Sequence, residues 1–234
     1  YTCHAIDAEF SSDIIGQSNN GNQPYLIPIE EPISSSTCNI PGAVANGWGM
    51  SQRGAIRWAK GNTCPDGSGE IWPIKWDYKQ ILTHYYTGVD IVNDNTGTKV
   101  APDDRWNLID HTISLDVNRM GNANAGETYG FNITLQNTSK TDWLDNTEIY
   151  YQWTAKGAAA TGEWIKFDGI SVPPTNKGTP LTSLGLAITI PVDYSGDKTL
   201  HLDIYRNGHW LSEPTPNSDQ TVKWYDATID IHVN

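Results

Sequence analysis

The sequence predicts a mainly β protein with a small α+β unit at its N-terminal end and an antiparallel β-sandwich behind it. Three observations carry that prediction. Beyond residue 107, apolar and polar residues alternate at period two in several separate runs, the mark of half-buried strands. Only two stretches, after Ser51 and after Asp77, carry helix signals. The aromatic content is 10 Trp and 11 Tyr against 3 Phe. Such amphipathic rings suit packed sheets, and they equally suit stacking on sugar rings.

Composition narrows the function classes. A chain of 234 residues holds one large domain or two small ones, each with a real core. Net charge is −12 with 15 Lys and Arg, which disfavours a nucleic-acid groove or an anionic-membrane patch. Charged residues make up 18%, with Asn, Thr, Ser and Gly abundant, the profile of an extracellular β-rich protein. No apolar run approaches the roughly 18 residues needed to span a bilayer. Tyr1 carries neither an initiator Met nor a signal peptide, so the start reads as processed or truncated, compatible with secretion.

Residues 1–91 form the first unit. Ala5 to Phe10 reads as a short strand leading into Ser11-Ser12-Asp13, followed by the polar loop Gln17 to Gln23 and a strand-like Pro24 to Pro32. The first helix begins after Ser51, keeps Ala55, Ile56 and Ala59 on one side and stops at Gly61, a favourable C′ residue. The second has Asp77 as N-cap with Gln80 at capping-box spacing. Tyr78, Ile81, Leu82 and Tyr85 give it one buried face, and Gly88 ends it. Three cysteines leave one over after any single bridge. Cys38 and Cys64 both sit in polar, turn-like stretches and are the expected pair, against the alternative of three reduced thiols. Cys3 is then free or paired upstream. Closing that loop is worth roughly 3 kcal/mol in the chain-entropy treatment.

Residues 92–106 are turn-rich and non-periodic, and read as a linker. Their Asp and Asn residues do not match the spacing of a calcium loop. Residues 107–234 read as all β. Tyr129, Phe131, Ile133 and Leu135 alternate with polar residues, as do Ile149, Tyr151 and Trp153. Leu184, Leu186, Ile188 and Ile190 do the same, then Leu200, Leu202 and Ile204. Asn-Thr-Ser, Pro-Pro-Thr-Asn and Asp-Tyr-Ser-Gly turns separate these runs, giving a sandwich of about seven or eight strands.

Two segments of the first unit carry a family resemblance. Asn46-Gly-Trp-Gly-Met-Ser-Gln-Arg-Gly-Ala55 and Asp77-Tyr-Lys-Gln-Ile-Leu-Thr-His-Tyr-Tyr-Thr-Gly88 are similar to the patterns G-x-G-M-S-Q-x-G-A and Y-x-x-I-L-x-x-Y-Y-x-G. These close the SpoIID/LytB domain, named for sporulation protein D and the amidase enhancer. Pro24-Tyr25-Leu26 and Glu31-Pro32 fall in the order of a third family segment. The resemblance spans about 90 residues, the last part of that domain, with Asn62 to Ile74 as an insertion that the Cys38–Cys64 bridge would tether. It implies a secreted bacterial protein acting on peptidoglycan, some members being lytic transglycosylases. The order Phe131, Asn137-Thr, Trp143, Tyr151-x-Trp153, Trp164, Val172-Pro-Pro, Ile190-Pro and Gly208-His-Trp210 resembles an Ig-like four-tryptophan module of secreted bacterial proteins. Thr175 replaces the Gly expected after the paired prolines.

A lytic transglycosylase needs one carboxylic acid to protonate the leaving oxygen and then accept a proton from the sugar's own hydroxyl. In the resembled family that Glu lies near a Met-Pro turn, upstream of the segments matched here, and no such segment occurs in this sequence. Glu9 is the substitute candidate beside the Ser-rich strand, but no residue is assigned a catalytic role. Ser11, Ser12, Trp48, Ser51 and Gln52 are placed along a glycan groove. Their hydroxyls and amide would bond sugar hydroxyls, and Trp48 would stack on a pyranose face. For Ser51 and Gln52 the competing reading is a tight turn in which Ser51 caps the helix. Asn46 stands where many family members have His. Cys3-His4, with His84 and Cys38, makes only a weak zinc pattern, so no metal or cofactor is assigned. Trp143, Trp164 and Trp210 form either a carbohydrate platform or the closed ends of the sandwich core.

The expectation is therefore a secreted or cell-surface bacterial protein related to peptidoglycan-remodelling proteins, binding glycan strands. Its other partners would be a missing N-terminal segment or further copies of itself. The alternative is a non-catalytic structural subunit of a filament or surface layer, assembling through the sandwich.

Overall fold

The computed structural model describes residues 10–11, 16–18, 26–34, 38, 48–93, 95–113, 122–144, 147–178, 180–213 and 224–234. The expected strand over Ala5 to Phe10 lies outside these, apart from Phe10.

In the first unit, β1 (Phe10–Ser11) pairs in parallel with β4 (Met50–Ser51), and β2 (Gly16–Gln17) pairs antiparallel with β3 (Glu30–Glu31). Helix α1 (Gln52–Lys60) starts where Ser51 Oγ accepts the Gly54 N–H at 2.8 Å. It stops at Gly61, whose φ of 68° is the left-handed conformation glycine adopts without a Cβ penalty. Helix α2 (Tyr78–Tyr85) carries the expected capping box. Asp77 accepts from the Lys79 and Gln80 N–H groups, and Gln80 Oε1 accepts the Asp77 N–H at 3.2 Å. The two helices enclose a core of Leu26, Ile29, Ile33, Trp58, Trp76, Ile81, Tyr85 and Tyr86. The Trp58 and Trp76 rings stack at 3.7 Å. A disulfide joins Cys38 to Cys64, residues 26 apart, and ties the 62–74 segment to the preceding loop.

The second unit is a sandwich of two sheets. The first has the order β10 (Thr182–Thr189), β7 (Thr128–Asn137), β5 (Trp106–His111). The second runs β6 (Asn122–Ala123), β13 (Ala227–Val233), β11 (Gly196–Arg206), β8 (Thr147–Ala155), β9 (Ile165–Lys166), with β12 (His209–Trp210) hairpinned on β11. All pairs are antiparallel except β6 with β13. The period-two residues read from the sequence fill the core: on paired β7 and β10, Phe131 lies opposite Leu186 and Ile133 opposite Leu184, and Leu135 and Ile188 join them with Ile149, Leu200, Leu202 and Ile204. Strands β6, β9 and β12 are two residues long, too short to leave a periodic signal.

The 92–106 segment is not a loose tether. Val92 bridges Lys99, Ala101 and Arg105 are buried, and Trp106 opens β5. Arg105 donates to the Val89 carbonyl at 2.9 Å and to that of Pro102, and burial pushes its guanidinium down to about 10. Along β5, Trp106 and Leu108 point into the sandwich core and the alternate Ile109 into the first unit's core, with a register shift between Leu108 and Asp110. One strand thus serves both cores.

Candidate functional site

The turn-and-helix motif sits at one edge of the first unit. Gly54 faces α2 so closely that a Cβ there would overlap the Tyr85 hydroxyl and lie 2.9 Å from Ser51 Cβ. The motif's glycine is therefore a packing requirement set by the second motif segment. Ser51 is fully buried and spends its side chain on the helix cap, so it does not face a ligand. That corrects the expectation of Ser51 as a groove hydroxyl. Ser11 pairs with it in register; Ser11 is half-buried, and its hydroxyl has no hydrogen-bond partner among the described residues. Gln52 is exposed, and Trp48 and the neighbouring Phe10 keep 46% and 59% of their surface in solvent. Ser51 and Gly54 are taken up in packing, while Trp48, Phe10 and Gln52 keep exposed surface. Ser12, Glu9, Cys3, His4 and Asn46 lie outside the described residues.

A second feature was not anticipated from the sequence. Where the first unit meets the sandwich there is a groove of about 550 Å³, between the segment that follows α1 and the strand leading into β13. Its floor is indole: Trp72 and Trp76 donate their ring N–H groups to the β5 carbonyls of Ile109 and Leu108 at 2.9 and 3.2 Å. Trp106 lies beneath, its own N–H aimed at buried Asp203 at 3.4 Å. Asp226, Thr228 and Asp230, and Lys60 and Lys75, are among the residues that line it. Asp226 accepts from His201 Nδ1, and His201 Nε2 lies 2.8 Å from the Thr154 hydroxyl. Asp230 accepts from Thr199 at 2.7 Å. At the groove's end the Tyr225 hydroxyl donates to Asp77, the α2 cap. Burial and that carboxylate hold Tyr225 above the usual phenol range. The floor was hidden from sequence reading because Trp72 sits in a non-periodic insertion and its opposite wall lies more than 150 residues away in the chain.

The remaining candidates resolve differently. His84 is fully buried, with Nδ1 2.7 Å from Gln136 Oε1 and Nε2 3.4 Å from Glu31 Oε2, and its ring against Trp58 and Trp76. It knits the two units rather than joining Cys38, which is in the disulfide. Trp143 is buried in the sandwich core, whereas Trp164 and Trp210 stack at 5.2 Å on the other face, with Tyr150 and Tyr205 against Trp210. Among the described residues no group of three or more His, Cys, Asp or Glu is placed to hold a metal ion. No described helix is long and apolar enough to cross a membrane.

A scan against known protein families finds none that matches the chain, and no curated protein matches it. Among solved structures it is similar to AvmM, which catalyzes macrocyclization in alchivemycin A biosynthesis. That match covers 62% of this chain and 96% of the other at 10% identity, with a TM-score of 0.32. A CARDB domain from Pyrococcus furiosus, in complex with di-metal ions, matches over 64% of this chain and 98% of its own at 9% identity, TM-score 0.29. A lytic polysaccharide monooxygenase from Streptomyces lividans matches over 47% and 58% at 18% identity, TM-score 0.23. At TM-scores this low none of these likenesses carries an argument about fold or function.

Proposed function

We propose that the protein is a secreted or cell-surface bacterial protein of SpoIID/LytB kinship that binds the glycan strands of peptidoglycan through the edge formed by β1, β4 and the start of α1. The observation that carries this reading is the division of labour within the motif. Ser51 and Gly54 are taken up in packing, while Trp48 and Gln52 of the same motif, and Phe10 of the paired strand β1, keep exposed surface. Exposed aromatic surface beside an amide suits a pyranose ring, whose C–H face stacks on the indole while its N-acetyl and hydroxyl groups bond the amide. The Cys38–Cys64 disulfide supports an oxidising, extracytoplasmic compartment.

The test is co-sedimentation of the full chain with purified peptidoglycan sacculi. Wild-type protein is expected to pellet saturably. Trp48→Ala should weaken binding by about tenfold, the size of one lost stacking contact, and Gln52→Ala by less, both with unchanged thermal melts. Protein that stays in the supernatant, or a Trp48→Ala variant that pellets like wild type, sinks the reading.

A further inference from the structure

We infer that the groove between the two units is a second, separate saccharide site, taking a short neutral oligosaccharide. Its volume of about 550 Å³ lies in the range of small-ligand clefts. Its chemistry is two-sided. The floor is the indole of half-buried Trp72, with Trp76 beside it, both fixed by hydrogen bonds to β5 so that neither ring turns to meet a ligand. Along the groove's other side lie Asp226, just before β13, and Thr228 and Asp230 within it, polar residues at alternate positions and so on one face of the chain at intervals of about 6.7 Å. Asp226 and Asp230 are each oriented through one oxygen, by His201 and Thr199; the second oxygen of each takes no hydrogen bond among the described residues.

The ligand class follows by elimination and fit. The two carboxylates repel a phosphate or other anion. The facing Lys75 and Lys60 offset them, so a strongly cationic peptide gains little. An apolar ligand would strip water from the carboxylates without replacing their hydrogen bonds. A neutral sugar ring satisfies both sides: its C–H face lies on indole, its hydroxyls donate to the oriented carboxylates and accept from Lys75. Because the groove takes one wall from the disulfide-tethered 62–74 segment and the other from β13, it exists only where both units are joined.

The experiment is calorimetric titration of the full chain with chitotetraose, cellotetraose and maltotetraose in turn. At least one is expected to bind saturably with a dissociation constant at or below about 1 mM. Thr228 is exposed on a strand, so Thr228→Trp fills the groove with a residue that strands accept. It should weaken that binding at least about tenfold, and Lys75→Ala about threefold to tenfold. Absence of saturable binding by all three sugars overturns the inference. So does binding that Thr228→Trp leaves intact in a variant whose melting temperature matches wild type.

Discussion

Asp203 shows what a single residue does at the centre of this molecule. It is fully buried in β11 and accepts from Ser212 Oγ at 2.6 Å, from the Ile204 and Ser212 N–H groups, and from Trp106. Burial outweighs these donors and pushes its carboxyl from 3.8 up to about 7. The folded form therefore holds a proton that the unfolded chain gives up. Between pH about 4 and 7 the unfolded chain ionises first, so stability from this group is fully present below the unfolded value and is lost as pH rises, at up to about 1.4 kcal/mol per pH unit. Asp203→Asn removes that slope. Urea unfolding across this range should show the wild type losing stability relative to the variant as pH rises; parallel profiles would refute the assignment. Neither this carboxylate nor the Glu31–His84 contact could be read from the sequence. Burial of a charged side chain is a property of strands that meet from distant parts of the chain. The Ser51 cap was legible as one of two readings, because a cap and its helix adjoin in sequence; which reading holds depended on the burial of Ser51.

At the scale of elements, the local signals were the readable ones. Helix α1 begins and ends where its caps place it and α2 begins at its Asp77 cap, since a cap and its helix are neighbours in sequence, but α2 stops at Tyr85, short of the expected Gly88. The long strands β7, β8 and β10 largely follow their alternation, whereas β11 is buried on both faces from Thr199 to Ile204. The contact between the helices was not readable in the same way. Gly54 and Tyr85 lie on different elements, and only packing reveals that one makes room for the other. Gly54→Ala should destabilise the protein by about 1–3 kcal/mol, despite alanine's better helix propensity, because the added methyl meets the phenol. Tyr85→Phe in the Gly54→Ala background should recover part of that loss. A double-mutant cycle measures it, and additive effects would refute the contact.

At the scale of the whole molecule, the two units share contacts that a simple tether would not make. The segment from 92 to 106 reads as a linker because it is polar and non-periodic, yet Ala101, Arg105 and Trp106 are buried and Ile109 lends its side chain to the first unit's core. The seam adds the Trp72 and Trp76 ring N–H bonds to the β5 carbonyls and the Asn107 amide bond to the Gln80 carbonyl at 3.0 Å. Urea unfolding followed by tryptophan fluorescence and by far-UV circular dichroism should therefore give one coincident transition. Residues 107–234 alone, stripped of Ala101 and Trp106, should be markedly less stable; two separated transitions would show independent units. The disulfide bears on the order in which this body is built. Both of its cysteines, and the whole segment it fastens, precede every strand of the sandwich in the polypeptide. A chain threaded out N-terminus first can close that bond while β13 is still unmade, so one bank of the groove is moored before the opposite bank arrives.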